Sequence, residues 1–205
     1  MAKKLSPMMS FYLDLKENYK DAIVLFRLGD FYEMFFDDAI KASRILDITL
    51  TGRDCGLEKR APMCGVPYHA VDSYIAKLIA AGEKVAICEQ LSDPKTTKGM
   101  VDRDVIRVIT PGTVIEDNIL DEKKNNYIAS IYIDNNCAAI AWADVSTGEF
   151  NCFELSSNKV LIEDMLVTIN PAEIITNSVS FPIVSEIPSI RMGRLPKPYN
   201  YIDSA

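Results

Sequence analysis

Phe31-Tyr32-Glu33 places an aromatic ring and a carboxylate two residues apart, directly after a Gly29-Asp30 turn signal. In a strand, side chains alternate between faces, so Phe31, Glu33 and Phe35 share one face and Tyr32, Met34 and Phe36 the other. Burying an ionised carboxylate without a partner is costly, so the Glu33 face is expected to be open, with Phe31 exposed beside it. An exposed phenylalanine after a turn is a stacking or wedge group, and the carboxylate beside it is a hydrogen-bond acceptor. In a helix or an inward-facing strand the same ring is ordinary core, and an apolar run of this length does not separate the two.

Other reactive side chains are few. His69 is the only histidine, which leaves imidazole-based metal sites and catalytic dyads a single member, and it could equally cap a helix or hydrogen-bond in the core. Cys55, Cys64, Cys88, Cys137 and Cys152 are odd in number and never spaced C-x-x-C, the pattern of reduced, structural thiols rather than of a disulfide frame or a zinc site. Asp134, Asp144, Glu149 and Glu163 offer an alternative, a metal-dependent nuclease site of clustered carboxylates. Against it, Asp134 and Glu149 lie beside turn signals, where acids ordinarily face water. No G-x-x-x-x-G-K-[ST] phosphate loop occurs, so no catalysis of nucleotide hydrolysis, no bound cofactor and no metal are expected of these residues.

The elements that must position these groups follow from local signals. Ser6-Pro7 caps and opens a helix through Lys16, with Met9, Tyr12, Leu13 and Leu15 inward. Ile23–Phe26 is a strand that returns through Gly29-Asp30 into Phe31–Phe36, and Asp37-Asp38 caps a helix through Leu46. Thr51–Arg60 reads as a basic loop, Pro67–Ala81 as a helix ended by Gly82, and Lys84–Glu89 and Val105–Ile109 as strands around a charged loop, Ser92–Asp102. Tyr127–Ile133, Ala138–Val145 and Glu149–Leu155 form a three-stranded meander, followed by a helix, Lys159–Ile169, and a strand, Glu173–Thr176. Beyond Phe181, Pro182, Pro188, Pro196 and Pro198 predict loop or extended chain without helix. Alternating helices and strands imply an α/β fold in two domains, 1–115 and 127–205, with a polar linker at 116–126.

Charge supports the division. Residues 1–115 hold 16 basic and 16 acidic side chains, whereas 116–205 hold 6 and 13, so the whole net charge of -7 lies in the second part. At 205 residues the chain can bury two cores, and 48% apolar content excludes wholesale disorder. No apolar run approaches the roughly 18 residues of a spanning helix, and Met1-Ala2-Lys3-Lys4 opens no secretory signal, so a cytoplasmic location without membrane contact is expected. The chain stops at Ala205 without a closing element, as the N-terminal part of a longer protein would.

Arg27-Leu28-Gly29-Asp30-Phe31-Tyr32-Glu33-Met34-Phe35 resembles the F-x-E motif of the MutS family of bacterial DNA mismatch-repair proteins. The likeness continues, in order, through Pro62–Val71, Ala86–Gln90 and Arg107–Thr113, while Asp144–Phe150 lies in a region similar to the family's connector domain. The resemblance implies a mixed α/β mismatch-recognition domain followed by an RNase H-like connector that is incomplete at its C-terminal end. It implies that Phe31 enters the minor groove of mismatched double-stranded DNA and stacks on the mispaired base, and that Glu33 hydrogen-bonds that base. Arg53, Arg60, Tyr68, His69 and Arg103 are the candidates for backbone contacts, each arginine adding about one charge to the salt dependence. It further implies docking of the repair protein MutL through the connector, a homodimeric full-length protein associated with the nucleoid, and an ATPase site for ATP or ADP with magnesium in a domain further along. A third possibility, an interaction module without DNA binding, suits the acidic second part.

Overall fold

Ser6 caps the first helix of the computed structural model as its sequence predicts; residues 4–92, 101–115, 119–120, 124–177 and 191–194 are described. Its Oγ accepts from the Met9 N–H at 3.4 Å, and Pro7 opens α1 (Pro7–Asn18). The charged loop at 93–100, much of the expected linker, and the proline-marked run other than Arg191–Arg194 lie outside the described residues. The chain divides into two units between Thr110 and Pro111.

In the first unit, β1 (Ala22–Leu28) returns antiparallel through Gly29-Asp30 into β2 (Phe31–Phe35), with Leu28 opposite Phe31. Gly29 has a φ of +59°, the left-handed conformation that a two-residue hairpin turn requires and glycine tolerates. α2 (Phe36–Leu46), β3 (Thr51–Arg53), β4 (Ala61–Pro67), α3 (Val71–Ala80), β5 (Lys84–Gln90) and β6 (Arg103–Ile109) follow. The six strands form one mixed sheet in the order β3-β4-β2-β1-β5-β6, in which only β1 and β5 run parallel.

Period 2 sorts the core into two layers. Val24, Phe26, Phe35, Ala61, Ala86 and Cys88 face α1, where Tyr12 packs edge-on against Phe26 and Phe35 with centroids 5.6 and 5.1 Å away. The opposite face, including Leu25, Met34, Cys64 and Val85, is covered by Ala39, Ala42 and Leu46 of α2 and Ile75, Leu78 and Ile79 of α3. Burial pushes the Cys64 thiol up to about 11 and Cys88 up to about 12, so both are inert thiols at neutral pH.

Three local expectations require correction. Thr51–Arg53 is a short edge strand and Ala61–Pro67 a strand, so the loop expected over Thr51–Arg60 is confined to 54–60, and the helix expected from Pro67 begins at Val71 after one 3-10 turn, Tyr68–Ala70. Pairing with β2 overrides the turn chemistry of the Pro- and Gly-rich segment. Phe36 does not continue β2; its φ of 52° turns the chain sharply into α2. Asp38 consequently does not cap that helix. Its carboxylate points inward, accepting from the Val24 N–H at 3.0 Å and Tyr12 Oη at 3.0 Å, with Lys16 Nζ at 2.8 Å. Extending the β1–β2 register places Val24 opposite Phe35, where β2 ends, so the carboxylate serves a donor the ladder leaves over.

The second unit contains the meander β7 (Tyr127–Ile133), β8 (Cys137–Asp144) and β9 (Glu149–Ser156), then α4 (Lys159–Ile169) and β10 (Glu173–Thr176). β10 joins β7 in parallel, and β11 (Arg191–Arg194), which the proline pattern did not predict as a paired strand, joins β10 in parallel, giving the order β11-β10-β7-β8-β9. Ala129, Ile131, Ala138, Ile140 and Ile174 pack against Ile162, Leu166 and Ile169 of α4. Pro111-Gly112 packs inside this unit: a Cβ on Gly112 would lie 2.8 Å from Glu173 Cβ, so only glycine fits.

Asp144 closes the β8–β9 turn. Burial works against its ionisation, but Ser146 Oγ at 2.6 Å and the backbone N–H groups of Asn126, Ser146 and Thr147 donate to it and hold its pKa below the ordinary carboxylate range. A folded-state pKa below the unfolded value of about 3.9 gives stability that is present above that value and lost as pH falls through the folded one. Acid titration followed by emission of Trp142, the only tryptophan, is therefore expected to show loss of stability in the second unit below about pH 4. In Asp144→Asn that dependence is weaker; an identical acid profile would contradict the assignment.

Candidate nucleic-acid interface

Phe31, Glu33 and Phe35 share the α1 face of the sheet, but α1 covers only part of it. Phe35 is fully buried under Tyr12, Glu33 is partly buried, and Phe31, at the hairpin end, is 47% exposed. The expectation of an open face thus holds at the Phe31 end and fails at Phe35, because an amphipathic helix of 12 residues spans only part of the sheet. An apolar ring this exposed gains little from the fold and is available to a partner.

The hairpin end is held on the opposite face. Pro67 lies across from Phe31 and offers no N–H to prolong the ladder; the next N–H, of Tyr68, bonds instead to the Asp30 carbonyl at 3.0 Å. Tyr68 and His69 are thereby exposed at the same end of the sheet as Phe31, their rings edge to face at 5.9 Å. His69 is exposed and makes no side-chain cap, which corrects the expectation of a capping or core histidine. Arg27, opposite Tyr32 in the hairpin, stacks its guanidinium on Tyr68 at 3.8 Å and reaches Glu89 Oε1 at 3.7 Å. Tyr32 Oη donates to the same Glu89 oxygen. Burial first, then Glu89, pushes the Tyr32 phenol up to about 12, so it remains a donor at neutral pH.

The basic candidates differ in how they are held. Arg53, at the end of β3, forms an ion pair with Glu33, Nη1 to Oε2. Gly65 is the residue opposite Glu33 on the intervening strand β4, and a Cβ there would stand 3.4 Å from Glu33 Cγ. The loop after Arg53 is anchored where the Ser6 N–H bonds to the Cys55 carbonyl at 2.9 Å. Arg60 is exposed at the start of β4. Arg103 is engaged within the unit: Nε donates to the Arg27 carbonyl at 3.3 Å, Nη1 to the Val101 carbonyl at 2.8 Å, and its guanidinium lies 5.2 Å from the Phe26 ring.

Sequence reasoning missed Arg27, Glu89 and Gly65. The two-residue turn already pairs Arg27 with Tyr32, so that position was legible; Glu89 arrives from β5, 57 residues beyond Tyr32, and Gly65 from a strand that local signals did not reveal. In the second unit, Asp144 is committed to its turn, Glu149 accepts from Tyr127 Oη at 3.0 Å, and Glu163 faces Lys159 at 3.6 Å. Among the described residues no group of three or more His, Cys, Asp or Glu side chains could hold a metal ion, and no helix is long and apolar enough to cross a membrane.

Two family models match the chain: MutS domain I over residues 6–118 and MutS domain II over residues 126–190. Among curated proteins, the chain is 59% identical to the DNA mismatch repair protein MutS of Acetivibrio thermocellus, over 86% of this chain and 21% of that protein. It is 57% identical to MutS of Clostridioides difficile over 87% of this chain and 19% of that protein, and 55% identical to MutS of Clostridium botulinum (strain 657 / Type Ba4) over 83% and 18%. The chain therefore spans about a fifth of the length of these relatives.

Proposed function

The chain belongs to the MutS family of DNA mismatch-repair proteins, and from that premise we propose that its first unit recognises mispaired or unpaired bases in duplex DNA. Phe31 is the wedge that enters the minor groove and stacks on the mispaired base, and Glu33 accepts a hydrogen bond from it. The observation that carries this reading is Phe31 itself: an aromatic ring left 47% exposed at a hairpin turn, on the same sheet face as a carboxylate. Tyr68, His69 and Arg60, exposed in the same unit, supply backbone contacts, and Arg27 with Glu89 stiffens the hairpin that carries the wedge.

Physical chemistry makes such a site selective. A wedge must unstack a base step at a cost of a few kcal/mol, and a mispaired step is cheaper to unstack and bend than a paired one. The protein therefore reads deformability first. Glu33 adds a second filter, because a carboxylate near phosphates is repelled unless a base presents it a donor. Glu33→Gln is expected to bind matched DNA more tightly and to narrow the gap between matched and mismatched duplexes. Fluorescence anisotropy at low salt with a G·T heteroduplex and its matched homoduplex tests both points. Equal binding of the two duplexes by the unaltered chain, alone and within the full-length protein, would overturn the reading, and an unaltered gap in Glu33→Gln would remove Glu33 from it.

The second unit we assign to relaying the DNA-bound state and to docking MutL, a role suited to its negative charge and to the exposed Tyr132, Phe150 and Phe153. Failure of purified MutL to bind any form of the protein containing this unit would remove that role. ATP hydrolysis and homodimerisation belong, in this proposal, to the part of the family protein that these residues do not span.

A further inference from the structure

Resting on the mismatch-recognition reading above, we infer that Arg53 is a specificity-determining residue that exchanges partners: it neutralises Glu33 before a mismatch is engaged and passes to a DNA phosphate when Glu33 turns to the base. The contact is single-pronged, Nη1 to Oε2, and Oε1 receives no hydrogen bond among the described residues. It is a weaker arrangement than the two-pronged fork arginine makes with a carboxylate it is to hold permanently. The Arg53 side chain is 37% exposed and Glu33 16%, so the guanidinium is within reach of an outside anion while the carboxylate is largely covered.

The surroundings favour movement of the side chain rather than of the backbone. Arg53 ends a three-residue edge strand, but the chain two residues on is tied to the start of α1 through Ser6 and Cys55. Gly65, opposite Glu33 on the strand between the partners, carries no side chain to obstruct the carboxylate. Charge supplies the logic. An uncompensated Glu33 beside the wedge repels every duplex; pairing with Arg53 reduces that penalty on matched DNA but withholds the arginine from the phosphates. Only a base that offers Glu33 a donor releases Arg53, so one phosphate contact becomes conditional on the mismatch.

Counterion release makes the exchange measurable. Each phosphate neutralised steepens the plot of log K against log salt by about 0.9 on B-form DNA. Anisotropy titrations of this chain from low to moderate salt are expected to give a heteroduplex slope steeper than the homoduplex slope by about 0.9. Arg53→Gln is expected to remove that difference by flattening the heteroduplex slope alone, and Arg53→Lys to retain it. In Glu33→Gln, where nothing holds the arginine back, the homoduplex slope is expected to steepen by the same amount and Arg53→Gln to reverse it in the double variant. Flattening by Arg53→Gln equally on both duplexes, or on neither, overturns the exchange. The Glu33→Gln homoduplex arm requires no mismatch preference, so it tests the exchange even where heteroduplex and homoduplex bind alike, the outcome that, found for the unaltered chain alone and within the full-length protein, sinks the mismatch reading instead. Absence of DNA binding at any salt by the unaltered chain, alone and within the full-length protein, overturns both.

Discussion

Phe31→Ala is expected to bind heteroduplex and homoduplex alike, having lost the mismatch preference while remaining folded. Stacking one base on an aromatic ring contributes about 1 to 3 kcal/mol, so heteroduplex affinity should fall on the order of 5- to 150-fold. Homoduplex affinity should change little, because a paired step resists unstacking and gains nothing from the wedge. The fold should tolerate the change: the ring is 47% exposed, and its neighbours along β2, Tyr32 and Met34, bury their side chains on the other face. The check is the pair of anisotropy titrations with G·T and matched duplexes, accompanied by a denaturation curve. Retained discrimination in a folded Phe31→Ala protein would show that the wedge lies elsewhere.

Asp38→Ala is expected to have the largest effect on stability. Its buried carboxylate serves Tyr12 Oη, Lys16 Nζ and the Val24 N–H, linking α1 and β1 to the first turn of α2. Removing one member of a buried charged pair costs about 3 to 5 kcal/mol, and here the Tyr12 hydroxyl and the Val24 amide also lose their acceptor. The side chain of Lys16 is 22% exposed and can turn its ammonium to water, which places the expectation near the lower end of that range. Against a typical domain stability of about 5 to 15 kcal/mol, the first unit would lose a large fraction of its margin. Urea denaturation separates the units, since Trp142, the only tryptophan, reports the second and far-UV circular dichroism reports both. The transition of the first unit should move to lower urea while the Trp142 transition stays in place. A shift of less than about 1 kcal/mol would mean that water replaces the carboxylate and that Asp38 is no structural keystone.

Elements with strong local chemistry are legible in the sequence. Gly29-Asp30 specifies a two-residue turn, which sets Arg27 opposite Tyr32, and strand alternation puts Phe31 and Glu33 on one face. The meander and α4 of the second unit follow equally from alternation, from the Ser146-Thr147-Gly148 turn and from the apolar face at Ile162, Leu166 and Ile169. What stayed hidden was held by partners distant in the chain. Ala61–Pro67 carries two prolines and a glycine and has no local strand signal; it is a strand because β2 and β3 pair with it on either side. Asp38 has the composition of a helix-terminal acid, yet the left-handed backbone at Phe36 turns it inward.

The candidate site divides along the same line. The shared face of Phe31 and Glu33 follows from the turn and from an alternation of period 2, which are local and act over a few residues. That Phe31 is exposed while Phe35 is buried was decided only by where α1 ends over the sheet. That Glu33 meets Arg53 was likewise decided by β4, whose pairing brings residues 20 positions apart within reach across the sheet. Pairing between distant segments draws its free energy from contacts that exist only once the chain has closed on itself, so no local pattern records it.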